Sequence, residues 1–578
     1  MIKMRGKYKA YKSHHLPLSA RFNQRTFWGF LAFAGVTWSL LQTGLFKRDL
    51  INEDGWGLVI TFFQASLHPD LSQEFISLVP KATFITLAYA VSGSAFSLML
   101  GFLGGILSSQ VWWQAVFSSR KKRVRHVGGY KGPWLGFRAV LSAPRAIHEI
   151  IWGLFFINIL GLLPLTAILA IAIPFGAITA KVFSEILDET PRQPLDALLN
   201  SGATPLKAFM YGLLPKEFPN LLSYAFYRFE CSIRAATVLG IIGAGGLGYE
   251  IFLSLQSLKY EQMWTLFFAL FLLSGLIDAW SGLLRRRLGT PPRIALIQQE
   301  SFRRSFQMSY GDPVVSLSLA GVIGLLVFSF WILQPDFTQL FASHTTELLV
   351  GVVRDSLPPA FEISRIGELL DLTGQTLAMS ILAMVFAGVF GVLLSFPAAS
   401  LFLRRGGFLG NNRNGQFRST AASLLTRTFL LVLRAIPAPI WALILLYVFF
   451  PGILPGALAL GLYTVGILGR LMAEVIENLD TRPLRALEAQ GASPPQVFLY
   501  GVLPVTMPGF ATYIIYRWEV CIRATVIVGL VGAGGLGRLL TEQLSSFDYR
   551  SVTTTLIFLI GLTFLVDLIG IFTRRALP

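Results

Sequence analysis

Two ionisable pairs set the chemical question for this chain. Glu230 and Arg234 are four residues apart, as are Glu519 and Arg523, so each pair shares a helical face and can neutralise itself within one helix. Both pairs sit in long apolar runs, where an unpaired charge is costly and faces a bundle interior or a wet cavity. Two readings follow. In one, each pair is a self-satisfied lock on its helix. In the other, the arginines line a path and offer donors to an oxyanion, whose oxygens the planar guanidinium fork can meet two at a time.

The pairs belong to a repeated segment. Residues 227–248 read YRFECSIRAATVLGIIGAGGLG, and residues 516–537, displaced by 289 positions, read YRWEVCIRATVIVGLVGAGGLG. Each copy ends in glycines, Gly243, Gly245, Gly246 and Gly248 in the first and Gly532, Gly534, Gly535 and Gly537 in the second. The run matches G-x-G-x-x-G, but a dinucleotide site needs that motif between a strand and a helix, and here it closes an apolar helix. Glycines in this place suit close helix packing and a bend, so we expect a gate. The chain has no G-x-x-x-x-G-K-[ST], no metal-ligand spacing among its six histidines and two cysteines, and no nucleophile constellation. We therefore expect neither metal nor catalytic site.

The elements that must hold these residues are membrane helices. Hydrophobic residues make up 54% of the 578 and charged ones 14%, far from the soluble average. Apolar stretches of the ~20 residues needed to cross a bilayer recur throughout. About twelve are expected, near 27–46, 80–108, 140–161, 163–186, 219–246 and 262–284, then 316–334, 369–403, 427–450, 452–475, 508–535 and 552–573.

The net charge of +17 lies at alternate helix ends. Lys3, Arg5, Lys7, Lys9, Lys12, Arg21 and Arg25 precede the first stretch, and Arg120, Lys121, Lys122, Arg123 and Arg125 follow the second. Arg285, Arg286 and Arg287 follow the sixth, Arg404 and Arg405 the eighth, and Arg574 and Arg575 the twelfth. The positive-inside bias then predicts that both termini are cytoplasmic, and no nucleic-acid partner is expected. Six helices return each half to its starting side, so the halves are parallel repeats about an axis along the membrane normal. The expected organisation is a basic N-terminus at 1–26, one repeat at 27–285, a linker at 286–315 and a second repeat at 316–578. Arg145 and Arg434, near the ends of the third stretches, are expected to snorkel toward lipid phosphate.

A second duplication precedes each fifth stretch. Residues 196–215 read DALLNSGATPLKAFMYGLLP and residues 485–504 read RALEAQGASPPQVFLYGVLP, the pattern of a helix, a glycine turn, a short helix and a proline stop. Its alanine, glycine and closing Leu-Pro resemble the EAA loop of permease subunits in ATP-binding-cassette importers. The E-x-x-I-R-A block with its glycines looks like the phosphonate-type permeases. So do Thr83, Thr86, Leu87 and Ala88 with Thr373, Thr376, Leu377 and Ala378, and Arg145, Ala146, Ile147 and Trp152 with Arg434, Ala435, Ile436 and Trp441. Two departures mark the halves as unequal: the loop's glutamate is Asp196 in one copy and Arg485 in the other, and His148 and Glu149 stand opposite Pro437 and Ala438.

That resemblance implies an all-α integral membrane protein of the type I importer (MetI-like) permease fold, with two copies fused in one chain. It also implies a multi-pass protein of a prokaryotic plasma (inner) membrane that imports phosphonate or a related anion such as phosphite or phosphate. Two copies of an ATPase subunit would dock on the cytoplasmic face at Asp196, Ala197, Gly202, Ala203 and Pro215 and at Arg485, Ala486, Gly491, Ala492 and Pro504. A substrate-binding protein would dock on the outer face. ATP and magnesium would reside on the ATPase, leaving this chain without a cofactor and without catalysis of its own. The rivals are an ion-coupled secondary transporter with six plus six parallel spans, which has no need of the elbows, and a membrane enzyme, which would need a clustered catalytic set.

Overall fold

The computed structural model describes residues 18–44, 51–52, 55–119, 130–287, 313–399 and 413–576. The basic residues from Lys3 to Lys12, from Arg120 to Arg125 and at Arg404 and Arg405 lie outside them, as does most of the expected 1–26 terminus and 286–315 linker. Among the described residues the chain is helical, with one isolated bridge between Ile51 and Phe449.

The longer helices of the first half are α1 (Leu18–Gln42), α2 (Gln73–Ser108), α3 (Lys131–Ala146), α4 (Glu149–Leu160), α5 (Pro164–Glu189), α6 (Leu214–Leu239), α7 (Leu247–Gln256) and α8 (Tyr260–Arg287). The second half repeats the order with α9 (Pro313–Leu333), α10 (Ile363–Ala398), α11 (Arg413–Ala435), α12 (Ala438–Val448), α13 (Ile453–Glu477), α14 (Leu503–Val528), α15 (Gly535–Ser545) and α16 (Tyr549–Ala576). Among the described residues seven helices are long and apolar enough to cross a membrane unbroken, and four bent pairs raise the number to eleven. α1 holds the first expected position but is not among them, so these residues do not confirm the count of twelve.

In each half the most extensive packing joins the second and fourth spans, α2 with α5 and α10 with α13. Small residues make it possible, because without a hydrophobic drive between helices in lipid, association rests on close van der Waals contact. A Cβ on Gly101 would stand 2.5 Å from Thr179, and one on Gly105 2.7 Å from Phe183. The halves are also braided. α1 packs on α10 of the second half, α9 packs on α2 of the first, and a single apolar core draws on both.

The third spans are not straight. α3 meets α4 at 86° and α11 meets α12 at 92°, each broken within the Arg-Ala-Ile motif's next step. At the first break His148 is extended (φ −72°, ψ 150°) and its Nδ1 accepts the Ile150 N–H at 3.3 Å, capping α4. At the second, Pro437 occupies the same position, and a proline forces the residue before it out of the helical region. The two unlike residues thus make the same corner.

Candidate functional site

The corner places Arg145 and Arg434 inside the protein, and the expectation that they snorkel to lipid is corrected. Arg434 is buried and donates to Asp278 Oδ2 at 3.0 Å, an oxygen that Arg470 also meets at 2.6 Å. Arg145 lies 3.7 Å from Asp567. Each arginine therefore pairs with a carboxylate on the sixth span of the opposite half, α8 for Arg434 and α16 for Arg145. Both arginines had a nearer counter-charge than lipid phosphate, supplied by the neighbouring repeat.

In the second copy the intrahelical lock is corrected as well. Glu519 pairs with Arg574 of α16 at 2.6 Å, and Arg523 Nη1 donates to the Arg145 carbonyl at 2.7 Å, a group freed by the break after α3. There a tertiary carboxylate and a carbonyl win over the neighbour four residues along. In the first copy Arg234 Nη2 meets the Cys231 sulfur at 3.2 Å, and Glu230 shares a small cavity with it.

Arg234 and Arg523 both line a cavity of about 130 Å³ between the halves. One stripe of α6, formed by Tyr227, Arg228, Cys231, Arg234, Ala235 and Val238, lines it, and the same positions of α14 line it from the other side: Tyr516, Arg517, Val520, Arg523, Ala524 and Ile527. Arg145, Tyr463, His148 and Glu149 complete the charged and polar lining. Five guanidiniums thus face one carboxylate. Each buried guanidinium costs at least about 3 kcal/mol at membrane depth, and together they make a space that attracts anions and repels cations. Glu230 and Glu519 stand off this stripe. Glu230 lines a smaller cavity with Arg234, Asp278 and Arg434, and Glu519 is buried toward α16.

Arg228 and Arg517 were not singled out from the sequence, which drew attention to acid-base spacing instead. The available signal was the stripe itself: residues identical between the copies, Tyr and Arg, recurring with helical period beside Arg234 and Arg523.

The glycine runs form tight bends. α6 bends by 55° into α7 and α14 by 71° into α15, through Gly243 and Gly532, both with φ near +100°. The start of α7 lies so close to the end of α6 that a Cβ on Gly248 would stand 1.8 Å from the Thr237 carbonyl oxygen. Gly245 and Gly246 (φ +87° and +76°) and Gly534 and Gly535 (φ +82° and +71°) carry the turn, and Gly537 takes the place of Gly248 against Val526. The second span pins each bend. Thr86 Oγ accepts the Leu247 N–H at 2.8 Å and donates to the Ala82 carbonyl at 3.0 Å, and Thr376 does the same for Leu536 at 2.9 Å and Leu372 at 2.7 Å. A threonine on another helix thus serves as cap where glycine has no side chain to do so.

Each elbow is a helix (Gln193–Asn200 or Thr481–Ala489), a turn at Gly202 or Gly491 with φ near +87°, and a short helix from Pro205 or Pro494. The proline does not stop it. Phe209–Leu213 and Phe498–Val502 form one wide turn that runs on into α6 and α14, with Pro215 and Pro504 in the first turn, where the missing N–H is no loss. Asp196, Ala197 and Gly202, and Arg485, Ala486 and Gly491, are exposed, while Ala203 and Ala492 are half-buried. Leu206, Met210 and Tyr211 project beside the first set and Leu499 and Tyr500 beside the second.

The family described as binding-protein-dependent transport system inner membrane component matches residues 133–290 and 406–577. The phosphate-import permease protein PhnE of Mycolicibacterium smegmatis is 27% identical over 73% of this chain and 74% of its own. The phosphite transport system permease protein PtxC of Stutzerimonas stutzeri is 34% identical over 47% of this chain and 91% of its own. The putative cryptic phosphonate transport system permease protein PhnE2 of Escherichia coli is 36% identical over 20% of this chain and 93% of its own.

Proposed function

Because the chain belongs to the family of binding-protein-dependent transport system inner membrane components, we propose that it forms the whole membrane channel of an importer for phosphorus oxyanions driven by ATP-binding-cassette subunits. The observation that carries the substrate class is the arginine stripe shared by α6 and α14 around the central cavity. The relatives handle phosphate, phosphite and phosphonate, which share a tetrahedral phosphorus centre and negative charge. Arg234 and Arg523 line the path, and Glu230 and Glu519 hold the helices that carry them.

The exposed elbows receive two ATPase subunits on the cytoplasmic face through Asp196, Ala197, Gly202, Ala203 and Pro215 and through Arg485, Ala486, Gly491, Ala492 and Pro504. ATP and magnesium belong to those subunits, so this chain moves its substrate without making or breaking a bond. A substrate-binding protein delivers the anion on the outer face, where the glycine bends act as the gate. The chain sits in the plasma membrane of a prokaryote with both termini in the cytoplasm. When the ATPases close, the elbows carry α6 and α14 with them, and because each glycine bend continues from those helices, motion at one end reaches the other.

Reconstitution with the ATPase and the binding protein tests this reading. Uptake of phosphate, phosphite or methylphosphonate should require ATP and survive collapse of the membrane potential. Uptake that follows the potential and ignores ATP depletion would establish the ion-coupled alternative.

A further inference from the structure

Two of the five cavity arginines have no carboxylate partner among the described residues. Nε and Nη2 of Arg228 and Nε of Arg517 meet no hydrogen-bond acceptor among the described residues, although the two residues are only 6% and 7% exposed. Neither has a carboxylate within ion-pair distance there. They are the same position in the two copies, and both line the one cavity. The Arg228 guanidinium stacks on the Phe175 ring at 3.8 Å, which occupies its face and leaves its edge of N–H donors free. Tyr227, Tyr516 and Tyr463 bring hydroxyls to the same space.

We propose that Arg228 and Arg517 form a resident binding site for one tetrahedral oxyanion on the pseudo-twofold axis, each guanidinium edge taking oxygens from its own side. This rests on the import reading and goes beyond it: the membrane chain holds its substrate at a defined point rather than only letting it pass. A tetrahedral anion suits the place because its oxygens can serve two forks from opposite directions, while a planar carboxylate presents two oxygens on one side. Arginine stays charged at any physiological pH, so the site is always set for an anion. Glu149, with His148 beside it at 3.1 Å, is the one carboxylate of the lining and comes from a single half, which makes the site electrostatically uneven.

Equilibrium binding of inorganic phosphate to the purified complex of this chain with its ATPase, without the binding protein, tests the site. One phosphate per chain is expected. R228Q and R517Q should each weaken binding at least tenfold, the loss expected for one charge-assisted bidentate contact, and R365Q, at an exposed ion pair, should leave it unchanged. R228K, which keeps charge but not the fork, should fall between. Should the variants fail to assemble, arginine modification of the wild-type complex, mapped residue by residue, gives the same answer: phosphate should protect Arg228 and Arg517. Undiminished binding in R228Q and R517Q, no protection, or displacement of phosphate by phosphatidylglycerol would overturn the site. Failure to bind phosphate while the same preparation imports it with the binding protein present overturns the site but leaves the importer standing. Absence of any phosphorus uptake defeats the importer itself.

Discussion

At the scale of single residues, the two halves solve one electrostatic problem with different quality. Arg434 and Arg470 share Asp278 in a tight, largely buried cluster, with Glu474 adding an oxygen at 3.1 Å from Arg470 Nε. The matching position to Arg470 in the first half is Lys181, which meets Glu185 at 3.9 Å, and the Arg145–Asp567 contact is longer and more exposed. Removing one member of a buried cluster strands the rest, at a cost of roughly 3 kcal/mol. D278N should therefore destabilise the protein by about that much and D567N by clearly less, as thermal unfolding in detergent will report. Equal losses would mean that the difference in geometry carries no energy. A second test concerns the borrowed caps. T86V and T376V remove the acceptor for a buried N–H and should each cost about 1 to 3 kcal/mol, whereas T86S should restore most of it.

Glycines at the scale of elements divide into two kinds that the same substitution separates. Gly202 needs its positive φ but has open space around it, so G202A should cost about 1 kcal/mol and leave the elbow assembled. Gly248 has ordinary φ but no space, so G248A should prevent α7 from seating against the end of α6 and abolish the stable protein. Yield and size-exclusion profiles of the two variants will rank them. The same contrast explains what the sequence could show. Helical spans, the duplication, the elbow and the glycines of the bends were all legible, because apolar length, period and glycine placement are local properties. The right-angle corner after Arg145 and Arg434 was not, since an apolar run of normal length hides a break made by one extended residue. Nor were the ion pairs with Asp278 and Asp567, which lie about 150 and 420 residues from their arginines in the chain and so have no spacing to read. Arg228 and Arg517 lay in plain view, but their meaning depends on their having no carboxylate partner among the described residues, and that is a tertiary fact.

For the whole molecule, the braid of first helices makes each half incomplete alone. A chain cut near residue 300 and expressed as two pieces should assemble when both are present, because the contacts of α1 with α10 and of α9 with α2 do not depend on the peptide link. Either piece alone should fail to yield a stable membrane protein. A tagged first piece that purifies in folded form without the second would show that the exchange is dispensable.

The exchange also imposes an order in time. α2 ends at Ser108, and its partner α9 begins at Pro313. At ordinary elongation rates of ~5–20 residues per second, about 10 to 40 s pass between the synthesis of one and the arrival of the other. During that interval lipid, or the insertion machinery, must cover the face of α2 that α9 will claim. The first half is thus held open while it is being made and closes only when the second half reaches back.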